Sequence, residues 1–362
     1  MNILARTRDR LLGRGDHAIT VPVFDGALKP NQHLQTAEVV IDDLVDPNDL
    51  ATDDIGLLLA SGSTVVRIAA NGAQSEVLRA TGRVTALATI EGGLAVAIDG
   101  REVRVFGGRH DGFRVCDVAG KPLHCVNALA VRGDVLLLCD GSRNRAPDEW
   151  RHDLMELGRS GRVCEIDLSK GLAREIATGL GYAFGVFAND DEVWISESWR
   201  HRVRMSGEVG RKVLSELPGY PSRMAPAMGG GAWLTVFACR TQLVEFVLRE
   251  PAYRKRMIAT IEPDLWISPQ IASDLHLQEP LQHARVKTLG MIKPWAPPRS
   301  YGLVIRLGVD GSPQYSLHSR VDGNHHGVVA CAQLGDWLYV LSKGARRLLR
   351  LPIPQIEQEL GR

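Results

Sequence analysis

Six times along the chain the same short pattern returns, and a repeat of this kind restricts the possible folds more than any other feature of the sequence. Each unit opens on a polar or special residue, runs through a short apolar stretch, turns at Gly, Asp or Asn, and enters a second apolar run. The units begin at Asn48-Asp49-Leu50, Thr85-Ala86-Leu87, Asn127-Ala128-Leu129, Phe184-Gly185-Val186, Ser222-Arg223-Met224 and His326-Gly327-Val328. Their second runs read IGLLLAS, GGLAVAI, DVLLLCD, DEVWISE, GAWLTVF and DWLYVLS. Several units continue into a further β segment such as STVVRI, REVRVF, GRVCEI or RRLLRL, which makes the unit a four-stranded blade. A lone blade leaves both faces bare, whereas six stacked about an axis bury those faces and protect the strand edges. The expected fold is therefore all-β, a six-bladed β-propeller.

Chains of 362 residues usually divide into domains, but all-β folds built from repeats exceed that limit as one unit. The propeller is assigned to residues 21–362, behind a basic tail at 1–20. That tail carries Arg6, Arg8, Arg10 and Arg14 and lacks the apolar stretch of ~7–15 residues that a secretory signal needs. Extra length is concentrated before the fourth and sixth units. The longer insertion, 241–300, contains LVEFVLREPAYRKRMIATI, whose apolar residues recur at helical spacing until Pro251 interrupts them. Two helices are expected there, between blades five and six. A Pro-rich stretch with Trp295 follows before strand structure resumes at Tyr301. Such an insertion serves either as a lid over one mouth of the ring or as a prop outside a blade.

Charge excludes some function classes. Lys plus Arg number 43 against 42 Asp plus Glu, a net charge of +1, so no field draws the chain to nucleic acid or an anionic membrane. No apolar run reaches the ~18 residues of a membrane span. The six cysteines form no C-x-x-C pair, and most sit in apolar strand-like runs, which reads as buried free thiols in a reducing cytoplasm. The expected partner is a small molecule, and nothing specifies an oligomer.

In a propeller the inner strands line the axis, so equivalent positions at their starts converge on one end of the channel. Counted from the repeat, these are Asn48, Thr85, Asn127, Phe184, Ser222 and His326, with Asp49 and Arg223 one place further on and His325 alongside. A hard divalent cation needs oxygen ligands, usually with two or more carboxylates. Asp49 is the only carboxylate of the set, Phe184 offers no donor and Arg223 repels cations, so calcium is disfavoured and no cofactor is expected. His326 is the versatile acid or base, with a structural cap of the strand end as its bland alternative. Arg223 either anchors an anion or forms an inter-blade salt bridge. No G-x-S-x-G, H-E-x-x-H or Gly-rich phosphate loop occurs. Two charged stretches, Asp140 to Asp153 and Glu197 to Arg202, are read as solvated faces.

The ordered motifs NALAV, CDGSR, DEWRHDLMELGRSGRVCEIDLSKG, GLGYAFGV, VWISESWRHRVRM, LPGYPSRM and AWLTV resemble the strictosidine synthase-like family, which is related to paraoxonases and gluconolactonases. VPVFDGALKPN and FVLREPAYRKRMI extend the likeness from about Val21 towards the C-terminus. The resemblance implies six blades. It also implies which ligands calcium-dependent relatives would use: an acid at the position of Asn48 beside a shared acid at Asp49, Asn in blades three and four, and Asp-Asn after the Gly-Tyr/Phe-Pro motif of blade five. Here Asn127 is kept, while Asn48, Phe184 and Ser222-Arg223 replace the others, which implies a metal-free site. The family's condensing enzyme uses a glutamate in the last inner strand, where this chain reads HHGVVACAQ.

The leading expectation is a metal-independent hydrolase of a lactone, an ester or a related polar substrate. His326, Arg223 and Asp49 would carry the chemistry, with Asn48, Thr85, Asn127, Phe184, Ser222, His325 and Trp295 around the substrate. A lyase or condensing enzyme acting on a C–N or C–C bond, and a silent propeller that binds a ligand or protein, are the alternatives.

Overall fold

A computed structural model describes residues 21–189, 191–207, 210–272, 287–288, 291–292, 300–320 and 323–361. The basic tail 1–20 and Trp295 lie outside the described residues.

The second run of each unit is its most apolar part, and as a strand it is buried over nearly its whole length. Each has an inner strand on one side and a third strand on the other, and a fourth completes the antiparallel sheet. Blade one comprises Pro47–Thr52, Leu57–Ser61, Thr64–Ile68 and Gln74–Arg79; blade two comprises Val84–Ile90, Gly93–Ile98, Glu102–Gly107 and Arg114–Val115. Blade three is built from Val126–Arg132, Val135–Asp140, Gly161–Asp167 and Leu172–Leu180, and blade four from Ala183–Ala188, Glu192–Glu197, Arg202–Gly207 and Gly210–Leu214. Blade five has Gly219–Pro226, Ala232–Cys239, Gly302–Leu307 and Pro313–Ser319. Blade six has Val328–Leu334, Trp337–Ser342 and Arg347–Pro352, and takes its outer strand, Glu38–Ile41, from ahead of blade one. The register Glu38 to Arg350 and Val39 to Leu349 fastens this closing strand, with an Arg350–Glu38 ion pair across it at 2.7 Å. The chain is a six-bladed β-propeller.

The helices expected in 241–300 form at Gln242–Arg249 and Pro251–Thr260. Thr241 Oγ1 accepts the Val244 N–H at 3.2 Å as an N-cap, and Pro251 opens the second helix at a position where its missing N–H costs nothing. The insertion lies between the fifth and sixth inner hairpins, as read from the repeat, and the sheet order assigns it more narrowly to the interior of blade five. Gly302–Leu307 pairs back onto Ala232–Cys239, because a two-stranded blade would leave its edge unpaired. Blade three carries a shorter insertion at the same connection, a 3-10 turn at Pro147–Glu149 followed by a helix at Trp150–Met155.

Every inner strand has an irregularity near its start. The ladder to the second strand slips between Pro47 and Asp49, Val84 and Ala86, Val126 and Ala128, Ala183 and Gly185, and Val328 and Ala330. The residue passed over in each case is Asn48, Thr85, Asn127, Phe184 or Val329. Bulges bend a strand and re-aim one side chain, and here they do so at one level of the ring in every blade. In blade five the slip is double, around Pro221 and again before Met224. At Gly185 the neighbouring inner strand comes so close that a Cβ would meet the Ser222 carbonyl oxygen at 2.3 Å.

Candidate functional site

The bulged residues meet in a chamber of about 310 Å³ at the mouth where the inner strands begin. One residue of each inner strand lines it: Asn48, Thr85, Asn127, Phe184, Arg223 and Val329. The ring counted from the repeat is therefore corrected in two blades. Ser222 is fully buried, with its hydroxyl 2.8 Å from Thr235 Oγ1, and lines neither this chamber nor the channel below it. His326 lies outside the ring as well. Its Nδ1 is 2.9 Å from Ser300 Oγ, and its Nε2 is 2.8 Å from the Arg320 carbonyl oxygen, to which it donates. With both nitrogens engaged, the imidazole is a tether at the strand entry. The register explains the shift, since the bulge of blade six falls at Val329 and the Gly327 that mimics Gly185 in sequence lies before the strand. His325 is buried outside the chamber too, and burial together with Arg347 brings its pKa down to about 4, so it is neutral.

Arg223 and Asp49 form the chamber floor. Arg223 lines the chamber and also the channel of about 190 Å³ that continues along the axis, while Asp49 faces that lower channel. The guanidinium donates to the Thr85 carbonyl at 2.8 Å and the Val329 carbonyl at 3.3 Å, and it lies 5.3 Å from the centre of the Phe184 ring. Its Nε is 3.2 Å from Asp49 Oδ1, close enough for an ion pair but poorly aligned for a hydrogen bond. Asp49 accepts the N–H groups of Leu50 and Leu87, each at 2.9 Å. Burial raises the Asp49 pKa against the pull of Arg223 and these two donors.

The side of the chamber towards blades one, two and six is cationic. Lys343 follows the second strand of blade six, and its Nζ donates to Asn48 Oδ1 at 2.5 Å. Arg83, two residues before Thr85, donates to the same oxygen at 3.2 Å and to Asp46 at 2.7 Å, and is also bonded to Asp148. Burial is the largest influence on Lys343, and the charge of Arg83 the next; together they bring its pKa down to about 8. The opposite side is aromatic. Trp150, Tyr182, Phe184 and Phe237 line it, with Trp150 edge-on to Phe237 at 5.3 Å. Tyr182 has φ +58°, a left-handed backbone that a bulky residue adopts only under constraint, and it stacks on Trp199 at 4.5 Å.

The two charged stretches read as solvated faces prove to be part of this architecture. Asp148, Trp150 and Arg151 line the chamber. Asp153 is buried beneath them, accepting from Ser142 Oγ at 2.5 Å and Trp199 Nε1 at 2.7 Å. Glu197 is fully buried, accepting the Gly181 N–H at 3.0 Å and Arg202 Nε at 2.8 Å. Arg151 also reaches the blade-five insertion, bonding to the Pro263 carbonyl, Asp264 and Gln270 at 2.7–3.0 Å. That insertion contributes Ile271 to the chamber wall. The Ile271 carbonyl presses onto blade six where two glycines leave room: a Cβ on Gly327 would meet it at 2.2 Å and one on Gly344 at 2.1 Å. Residues up to Ile271 therefore form a strap over the mouth.

Asn127 Oδ1 and Arg83 Nε are buried without a hydrogen-bond partner among the described residues, and both side chains line the chamber. Such groups cost about 1–3 kcal/mol each until something pairs with them. Repeat counting missed Arg83, Trp150, Tyr182, Phe237, Ile271 and Lys343. The signal that finds Trp150, Ile271 and Lys343 is topological, because the link from second to third strand returns to the mouth where the inner strands start, while Arg83 and Tyr182 immediately precede inner strands and Phe237 lies within a second strand. Lys343 and both insertions lie on such links.

No family model matches the chain. The adipocyte plasma membrane-associated protein of Salmo salar is 25% identical over 178 residues, which cover 45% of this chain and 43% of that protein. The chain thus spans less than half the length of this relative. Among solved structures, a gluconolactonase from Xanthomonas campestris aligns over 87% of this chain and 88% of its own, with a TM-score of 0.54 and 15% identity. A protein described as calcium-binding regucalcin, from Agrobacterium tumefaciens, aligns over 87% and 93%, with a TM-score of 0.51 and 11% identity. These structures share the propeller fold, and the curated relative upholds the likeness drawn from the motifs.

Proposed function

Taking the chain as a propeller of the strictosidine synthase-like kind, we propose that it is a small-molecule hydrolase that opens a lactone or ester in the upper chamber without a metal ion. The observation that carries this reading is Lys343, a largely buried amine that shares the Asn48 oxygen with Arg83 in a chamber whose opposite side is aromatic. A volume of about 310 Å³ is at the lower end of small-molecule sites, ~300–1,000 Å³. The cationic side suits a substrate whose product is a carboxylate, and the aromatic side suits its carbon skeleton.

In this reading the neutral amine of Lys343 takes a proton from water as the oxygen attacks the carbonyl carbon. Arg83 faces the oxyanion that develops, the acyl C–O bond breaks, and the amine returns the proton to the leaving oxygen. Asn127 Oδ1 accepts from a substrate hydroxyl or from the attacking water. Arg223 holds the floor of the chamber, so Lys343 takes the acid–base role expected of His326. The donor set does not fit a hard divalent cation. Asn48 Oδ1 already accepts from two cationic groups, Asp49 faces a guanidinium, and Phe184 and Val329 offer no oxygen. The gluconolactonase that shares the fold supports hydrolysis as the reaction class. The free cysteines, four of them buried, support a reducing compartment such as the cytoplasm.

A panel of lactones and aryl esters, assayed with and without a chelator, tests the proposal. Turnover is expected to survive chelation, to rise with pH through about 8, and to fall ~10²–10⁴-fold in Lys343→Met. Loss of activity on chelation, or full activity in Lys343→Met, overturns it.

A further inference from the structure

We propose that Lys343 is also a covalent centre, whose ε-amine forms an imine with the carbonyl carbon of a small 2-oxo acid bound in the upper chamber. The inference rests on the preceding reading only in placing the chemistry in that chamber.

Three features of the geometry carry it. First, the only hydrogen bond the Lys343 side chain makes among the described residues is to the Asn48 amide oxygen, and no carboxylate there forms an ion pair with it within 4.0 Å. A lysine placed for structural reasons is normally paired with an acid, as Lys170 is with Asp167 at 2.8 Å. Second, Arg83 and Arg223 line the same chamber, so the amine shares its enclosure with two fixed cations. A desolvated lysine beside another cation is the arrangement that activates an amine as a nucleophile. Third, Arg83 lines the chamber with its Nε unpartnered, a donor available to a carboxylate beside the reacting carbonyl. The charged groups that act on the amine are Arg83 and Arg223, which favour its neutral form, and Asp46 and Asp148, which oppose them. Burial is the largest influence, acts in the same direction as the two arginines, and brings the pKa to about 8.

The step balances without a redox partner. The Nζ lone pair attacks the carbonyl carbon, the carbonyl oxygen takes up a proton, and a carbinolamine forms. The C–O bond then breaks, its hydroxyl leaves with a proton as one water, and the C=N bond remains. Asp148, which lines the chamber, carries the proton between nitrogen and oxygen. Water reverses the sequence.

The test uses the full chain with pyruvate as the probe and cyanoborohydride to reduce any imine, read by intact mass and peptide mapping. One reduced pyruvyl group at Lys343 is expected, at ~10-fold or more above the exposed Lys170. Lys343→Arg and Lys343→Met should both lose the label, with circular dichroism confirming that each folds. Arg83→Gln should slow labelling by pyruvate far more than labelling by propanal, which has no carboxylate. Labelling spread evenly over surface lysines, or a Lys343 that stays unlabelled, overturns the proposal. Lactone turnover on the same preparation separates the two ideas. Labelling without turnover removes the hydrolase and keeps the imine, and turnover without labelling does the reverse.

Discussion

Lys343 carries an electrostatic burden in the folded chain. Its pKa in the folded chain, about 8, lies below the ordinary 10.5, so at neutral pH the chain holds a proton there that burial and Arg83 disfavour. Between about pH 8 and 10.5 the unfolded chain binds that proton while the folded chain has released it, so stability rises across this window. Below it the cost is present in full. Lys343→Met should therefore be more stable than the natural chain at pH 7, by on the order of 1–3 kcal/mol, with the advantage fading as pH climbs from 8 towards 10.5. Thermal melts at several pH values measure this, and a less stable Met variant at pH 7 would show the lysine to be structural. A residue whose removal gains stability and loses activity fits the usual trade-off at functional sites.

Among the elements, the strap from blade five to blade six decides how closed the chamber is. Its hold at Gly344 depends on the absence of a side chain, since a Cβ there would approach the Ile271 carbonyl oxygen to 2.1 Å. Gly344→Ala should lift Ile271 off the mouth and raise KM about 10-fold. Protease cleavage within 263–272 should become faster, and unchanged KM together with unchanged cleavage would mean that the strap plays no part in binding. The blades themselves were legible in the sequence, because buried second strands such as VLLLCD and WLYVLS announce themselves by composition. Four of the six ring residues were legible for the same reason. Arg223 stands one residue past the expected Ser222 because the double bulge of blade five leaves no trace in hydrophobic pattern, and Val329 stands three past the expected His326 because Gly327 imitates Gly185 ahead of the strand. The cationic side was hidden because Lys343 and Arg83 sit on links outside the repeat, and Trp150 was masked by the charged residues around it.

For the molecule as a whole, the ring is held shut at one seam, where Glu38–Ile41 pairs with Arg347–Pro352. Val39→Pro should weaken that seam by removing a backbone donor, lowering the melting temperature by roughly 3–5 °C. An unchanged melting temperature would show that blade six closes on three strands alone. The seam also sets an order on biosynthesis. Roughly 300 residues separate the two strands, and at ~5–20 residues per second the first waits roughly 15–60 seconds on the ribosome before its partner exists. During that interval Glu38–Ile41 is an unpaired edge, which makes it the segment a chaperone has most reason to hold. Moving the strand behind Pro352 by circular permutation would let blade six close as soon as it is made.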